Sequence, residues 1–126
     1  NSFFATGDDN VLEELEKEGF NATTDFPASP AYKTFVERNP NSKVILSIHP
    51  RGGKGWAKSF LATLLPLGQI VQQPPFRYLK PFKEFTKMCA KVRETVGIEL
   101  DSDGGISEEK LEIAYEAWLK AVKNAV

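Results

Sequence analysis

Cysteine and histidine are nearly absent: the 126 residues hold one of each, Cys89 and His49. A single cysteine cannot close a disulfide within the chain, and it excludes a structural zinc site of the all-cysteine type. A single histidine argues against any multi-histidine metal centre. Cys89 lies in a helix-like run, KEFTKMCAKV, with no histidine near it in sequence. It reads as a small core residue rather than a nucleophile. Long hydrophobic runs are also lacking. The longest, SFLATLLPLGQIV, is interrupted by Pro66, Gly68 and Gln69, and it falls short of the ~18–20 residues a membrane helix needs. An integral membrane protein is therefore not expected. Neither sign of charge dominates: 16 basic residues face 17 acidic ones, for a net charge of −1. Nothing global favours nucleic acid or an acidic membrane surface, although a local basic cluster can still hold an anion. No secretory signal is visible, so a soluble or peripheral chain, intracellular or organellar, is the expectation. Because the chain starts at Asn1, it reads as processed or as a piece of something longer. Asn21 with Thr23 fits a glycosylation acceptor, a pattern so short that it recurs by chance.

What is present suffices for one domain with a modest core: hydrophobic residues make up 41% of the chain, enough to cover several amphipathic elements. Residues 1–8 lack periodicity and read as a loose N-terminal segment. Asp9 or Asn10 can cap a short helix, VLEELEKEG, that stops at Gly19. After a loop held extended by prolines, SPAYKTFVERNP reads as a second helix. Ser29 would cap it, Tyr32, Phe35 and Val36 would face inward, and Asn39-Pro40 would end it. A further helix is expected from Trp56 to about Leu65, followed by an irregular connection over 66–76. The segment 76–96 looks helical with an interruption at Pro81, and Phe82, Phe85, Cys89 and Val92 recur at helical spacing. The clearest helix is the last, capped by Ser107, with Leu111, Tyr115, Trp118 and Val122 in one stripe. Just before it, Asp101, Asp103 and Glu112 fall at EF-hand positions, but Ile106 stands where that loop needs glycine, so a calcium loop is rejected.

The segment 43–48, KVILSI, differs from the rest. Val44, Ile45, Leu46 and Ile48 form a run broken only by Ser47, the pattern of a strand covered on both faces. A strand buried in that way must pair, because each unpaired backbone polar group would cost ~1–3 kcal/mol. The chain offers no convincing second strand, since QIVQQ is a weak candidate. The expected neighbours are another protein chain or a missing part of the same precursor. Directly after the strand comes HPRGGKG, read as irregular. Its glycines free the backbone, the next helix offers its positive end, and Arg51 and Lys54 add charge. Ser59 lies eight residues beyond Arg51, where its hydroxyl could add a contact. The turn is either a polar surface turn or an anion site suited to phosphate or sulfate. It is not a Walker A loop, because the G-x-x-x-x-G-K-[ST] spacing is missing.

Gly19-Phe20, Ala22-Thr23, Asp25-Phe26-Pro27-Ala28, Tyr32-Lys33, Asn39-Pro40, Lys43 to Leu46, and Trp56 with Ser59 together resemble the middle of the P-loop sulfotransferase-like family. The resemblance is strong over about residues 9–65 and weaker to the end. It implies an α/β fold, a three-layer domain with a parallel sheet flanked by helices. Here that domain is only partial, mostly helical, with one central buried strand at about 43–48. The whole of 1–126 is then a single incomplete domain. The resemblance also implies sulfuryl transfer from 3′-phosphoadenosine 5′-phosphosulfate to a hydroxyl or amine. The arginine after the strand and the serine eight residues on hold the donor's 3′-phosphate, which here points to Arg51 and Ser59. The turn departs from the family's Arg-Asp-Pro. Counting from the strand, His49 takes the arginine's place, and counting back from Trp56, Arg51 does. The implied site is thus Arg51, Ser59, His49 and Lys54. Asp25 can be offered as a general base, although a role in holding its loop suits it better. The family's N-terminal phosphate loop and late strand are missing from these residues, so the expectation is a domain that is non-catalytic in this form. The alternative is a degenerate accessory subunit docked in a larger assembly.

Overall fold

In the computed structural model, which describes residues 10–25, 28–102 and 104–125, helices account for all the regular structure. They run α1 (Asn10–Lys17), α2 (Tyr32–Arg38), α3 (Gly52–Val71), α4 (Lys80–Thr95) and α5 (Glu108–Ala125), with short 3-10 turns at Ser29–Ala31 and Phe76–Tyr78. The segment expected to be loose, residues 1–8, lies outside the described residues.

The core is the contact of the two longest helices, α3 and α5, which pack along each other more extensively than any other pair. α5 starts where the Ser107 hydroxyl accepts the Lys110 N–H at 3.3 Å, relieving one orphan donor of the first turn. Just upstream, Lys110 reaches back to the Leu100 carbonyl at 2.8 Å and to the Asp101 carboxylate at 3.0 Å. The period-3.6 stripe then turns Leu111, Tyr115, Leu119 and Val122 inward. Leu111 is 0% exposed, which stabilises the fold by roughly 1.5–3 kcal/mol relative to a solvated leucine. From the other side come Ala57, Trp56 and Phe60. The rings of Trp56 and Tyr115 stack at 5.1 Å, and Trp56 leans on Phe60 at 5.4 Å. Tyr32 closes one end of this core by meeting Trp118 edge to face at 5.2 Å.

Three expectations are corrected. The first concerns the fold class: no strand and no sheet form among the described residues, so the three-layer α/β arrangement with a central strand at 43–48 is not what this chain adopts. Residues 42–49 form neither a ladder nor a helix. Ile45 is 93% exposed and Ile48 54%, while Val44 and Leu46 are half-buried. The reason is physical. Pairing was demanded by burial on both faces, but one face lies in water, and water satisfies the backbone groups whose desolvation would otherwise cost ~1–3 kcal/mol each. Without a neighbour to complete a ladder, apolar and β-branched residues alone do not make a strand.

Second, the glycine-rich turn is shorter than expected and the helix after it longer. α3 begins at Gly52 and runs for 20 residues. Glycine disfavours a helix by ~1 kcal/mol per residue, but here the glycines permit close packing. A Cβ on Gly53 would lie 2.9 Å from Glu116 Oε1, 3.1 Å from Glu112 Cγ and 3.2 Å from Tyr115 Cδ1. α5 is thus seated directly on the backbone of the first turn of α3.

Third, Pro66 does not end α3, which continues to Val71. The irregular connection therefore reduces to residues 72–75 and the 3-10 turn that follows. Pro66 is exposed, so the Ala62 carbonyl that loses its partner can be solvated. Two smaller readings also change. The cap of the second helical segment is Ala28, without a side-chain bond, not Ser29. Pro81 does not interrupt α4 but sits in its first turn, where a missing N–H costs nothing.

Candidate functional site

The residues singled out for anion binding gather where the segment 43–48 leads into α3. The path into the turn is fixed by two bonds. The His49 backbone N–H donates to the Tyr115 hydroxyl at 2.8 Å, and the Arg51 N–H donates to His49 Nδ1 at 3.2 Å. The second bond assigns Nδ1 as an acceptor and leaves Nε2 to carry the proton of the neutral ring. The chain then closes on itself, with Gly52 N–H on the His49 carbonyl at 2.9 Å and Gly55 N–H on the Arg51 carbonyl at 3.3 Å. Gly55 is buried beneath both side chains. A Cβ there would stand 2.5 Å from Arg51 Cβ and 2.8 Å from His49 Cε1. The imidazole therefore lies against a helix backbone bared of side chain, beside the root of Arg51.

Arg51 is the N-cap residue of α3, and it is exposed, as are Lys54 and Ser59. At 100° per residue, Arg51, Lys54 and Lys58 fall within about 60° of one another. This face is turned by about 125° from the one that Gly53, Ala57 and Phe60 present to α5. It carries no acidic residue in its first turn, and the positive end of the helix dipole adds to it. Glu112 and Glu116 approach the same helix end on the α5 side, at Gly53, so the electropositive face is one-sided.

The structure therefore brings His49 and Arg51 together and places Lys54 on the adjacent turn. Ser59 is further off. Eight residues of helix separate it from Arg51 by about 12 Å along the axis, so one phosphate meets both only with Arg51 extended along α3. Lys58 was missed from the sequence. Its signal, the i, i+3, i+7 spacing with Arg51 and Lys54, becomes visible only once the helix starts at Gly52 rather than at Trp56. Tyr115, which anchors His49, shows in the sequence only as part of the core stripe. Asp25 adopts a positive φ of 61° and its carbonyl accepts the Ser29 N–H at 2.7 Å.

Alongside the turn lies a half-open cavity of about 470 Å³. Leu46, Ile48, Trp56, Trp118 and Leu119 supply apolar walls, and Ser47, His49 and Tyr115 supply polar points. Cys89 sits half-buried on α4, and burial pushes its thiol above the ordinary value, which keeps it protonated and slow as a nucleophile at neutral pH. No group of three or more metal-ligating side chains occurs among the described residues, and no helix there is long and apolar enough to cross a membrane.

In comparison with known proteins, a family model described as a sulfotransferase domain aligns with residues 8–126. No curated protein and no solved structure matches the chain.

Proposed function

The chain belongs to the sulfotransferase domain family, and on that premise we propose that the turn at His49, Arg51 and Lys54, with Ser59 on the following helix, is a site for the 3′-phosphate of 3′-phosphoadenosine 5′-phosphosulfate. The observation that carries this reading is the exposed cationic face at the start of α3. Its donor set suits a phosphate dianion. It combines a guanidinium, a lysine one turn on, the proton-bearing Nε2 of His49 and the helix's positive end. When bound, the donor would supply the activated sulfuryl group. The residues of this chain would bind and orient its nucleotide end. Transfer depends on positioning and on charge stabilisation at the reacting centre, and no phosphate loop of the Walker spacing occurs within 1–126. The 126-residue chain by itself is thus a binder and not a catalyst.

Isothermal calorimetry with adenosine 3′,5′-bisphosphate tests this. Saturable binding that weakens at least tenfold in Arg51→Ala, about 1.4 kcal/mol, is the expected result. No heat with the unaltered chain at millimolar nucleotide removes the assignment.

A second reading rests on Ile45, which is 93% exposed in a segment without helix or ladder. In this reading the chain is a non-enzymatic accessory subunit whose residues 43–48 pair with a strand from another polypeptide. Amide exchange over 43–48 separates the two readings: protection acquired only with a partner favours docking, and rapid exchange under all conditions opposes it.

A further inference from the structure

The half-open cavity beside the turn, about 470 Å³, is lined by both tryptophans of the chain, Trp56 and Trp118. Its size falls within the ~300–1,000 Å³ of small-molecule sites. Its walls are held in place by the core. Trp56 packs on Tyr115 at 5.1 Å and on Phe60 at 5.4 Å, and Trp118 meets Tyr32 edge to face at 5.2 Å. The two indoles stand on α3 and α5, the helix pair in most extensive contact, so the core sets the gap between them. Leu46 and Ile48 close the space from the segment before α3, and Val96 and Ile98 from the loop after α4.

The lining selects the occupant in three steps. Among the described residues no aspartate, glutamate, lysine or arginine lines the cavity. An ion entering from water would find no charged partner there, a cost that an uncharged molecule escapes. The indole walls favour a flat ring, because aromatic rings packed offset or edge-on gain beyond their buried area. Tyr115 then fixes the polar group. Its oxygen already accepts the His49 N–H at 2.8 Å, so what it offers a ligand is the phenolic proton, a donor. The Ser29 and Ser47 hydroxyls, also in the lining, can donate as well. A carbonyl oxygen, which only accepts, matches this set.

We infer that the cavity is a binding site for an uncharged aromatic compound carrying a carbonyl group. A flexible acyl chain fits less well, because it gains nothing from ring walls and leaves the Tyr115 proton without an acceptor. Arg51, Lys54 and Ser59 do not line the cavity, so this inference does not rest on the nucleotide-site reading.

Because Trp56 and Trp118 are the chain's two tryptophans, its indole emission reports on this cavity directly. Titration with 2-acetonaphthone should quench that emission saturably. 2-Ethylnaphthalene, the same shape without the oxygen, should bind at least threefold more weakly, and Tyr115→Phe should abolish the difference. That ratio is read within one protein, so a partly destabilised variant still gives it. 2-Naphthoate, which puts a charge on the same rings, should bind at least tenfold more weakly than the ketone. Ile48→Lys alters a lining position that is 54% exposed, and it should lose at least tenfold. Ile45→Lys alters the same segment outside the cavity, where the side chain is 93% exposed, and it should lose less than twofold. Absence of saturable quenching up to the solubility limit of the ketone overturns the inference. So does equal affinity for ketone and hydrocarbon, equal or tighter binding of the naphthoate, or equal loss in the two lysine variants. Displacement of the ketone by 1-decanol at a lower concentration than the ketone itself requires would assign the space to an acyl chain and overturn it too.

Discussion

The backbone N–H of His49 and the phenolic oxygen of Tyr115, 66 residues apart in sequence, are joined by a 2.8 Å hydrogen bond. That bond ties the segment 43–48 to the α3–α5 core at the point where the cationic turn begins. It holds the imidazole over Gly55 while the Tyr115 ring itself stacks on Trp56.

Tyr115→Phe should keep the ring stack and lose the bond, leaving a part-buried N–H without its acceptor. A loss of about 1–2 kcal/mol is expected, measured as a lower denaturation midpoint with an unchanged slope. Nucleotide binding should weaken as well, because the turn is no longer fixed. An unchanged midpoint would show that water replaces the hydroxyl at no cost.

Gly55→Ala places a methyl group where His49 and Arg51 already stand, 2.8 and 2.5 Å away. On an open helix the change would stabilise by up to ~1 kcal/mol. Here the turn must open instead, and the expected result is a chain that remains helical by circular dichroism but binds adenosine 3′,5′-bisphosphate at least tenfold more weakly. Binding at full strength would mean that the packing of His49 on the helix is irrelevant to the anion.

The Tyr32 hydroxyl is buried with no hydrogen-bond partner among the described residues. Tyr32→Phe removes an unsatisfied polar group while preserving the edge contact with Trp118, so it should be neutral to stabilising, by up to ~1 kcal/mol. Burial also raises the Tyr32 phenol above its ordinary value of 10.0. With the folded value above the unfolded one, the folded state favours the proton. The associated stability is complete below about pH 10 and is lost as pH climbs through the folded value. Melting temperatures measured between pH 8 and 11 should fall less steeply for Tyr32→Phe than for the parent chain.

Pro66 sits exposed within α3 and denies the Ala62 carbonyl its helical partner. Pro66→Ala restores that donor, and a stabilisation on the order of 1–3 kcal/mol is expected, read as a rise in melting temperature. A fall would indicate that the proline shapes a bend on which the packing of α3 depends.

Much of this architecture could be read directly from residue spacing. The last helix, its Ser107 cap and its inward stripe at Leu111, Tyr115 and Val122 follow from a local period and a local bond, neither of which needs a distant neighbour. The same holds for the short first helix and for the cluster of His49, Arg51 and Lys54, whose closeness is a consequence of adjacency. The combined pattern from Gly19 to Ser59 likewise pointed to the sulfotransferase family, which the match over residues 8–126 bears out.

The errors arose where distant residues decide the outcome. GGKG looks like a helix breaker, but α5 settles on Gly53 and the His49 ring on Gly55, and those contacts offset the glycines' entropic cost. KVILSI looks like a buried strand, but strand formation belongs to a pair of segments and not to one. Composition and period thus determined the last helix, its Ser107 cap and its apolar face, because those depend on residues within a few positions of each other. The start of α3 at Gly52, the anchoring of His49 by Tyr115 and the solvent-facing state of Ile45 were decided only by tertiary structure. Each depends on which chemically suitable partner, if any, the fold brings within a few ångströms.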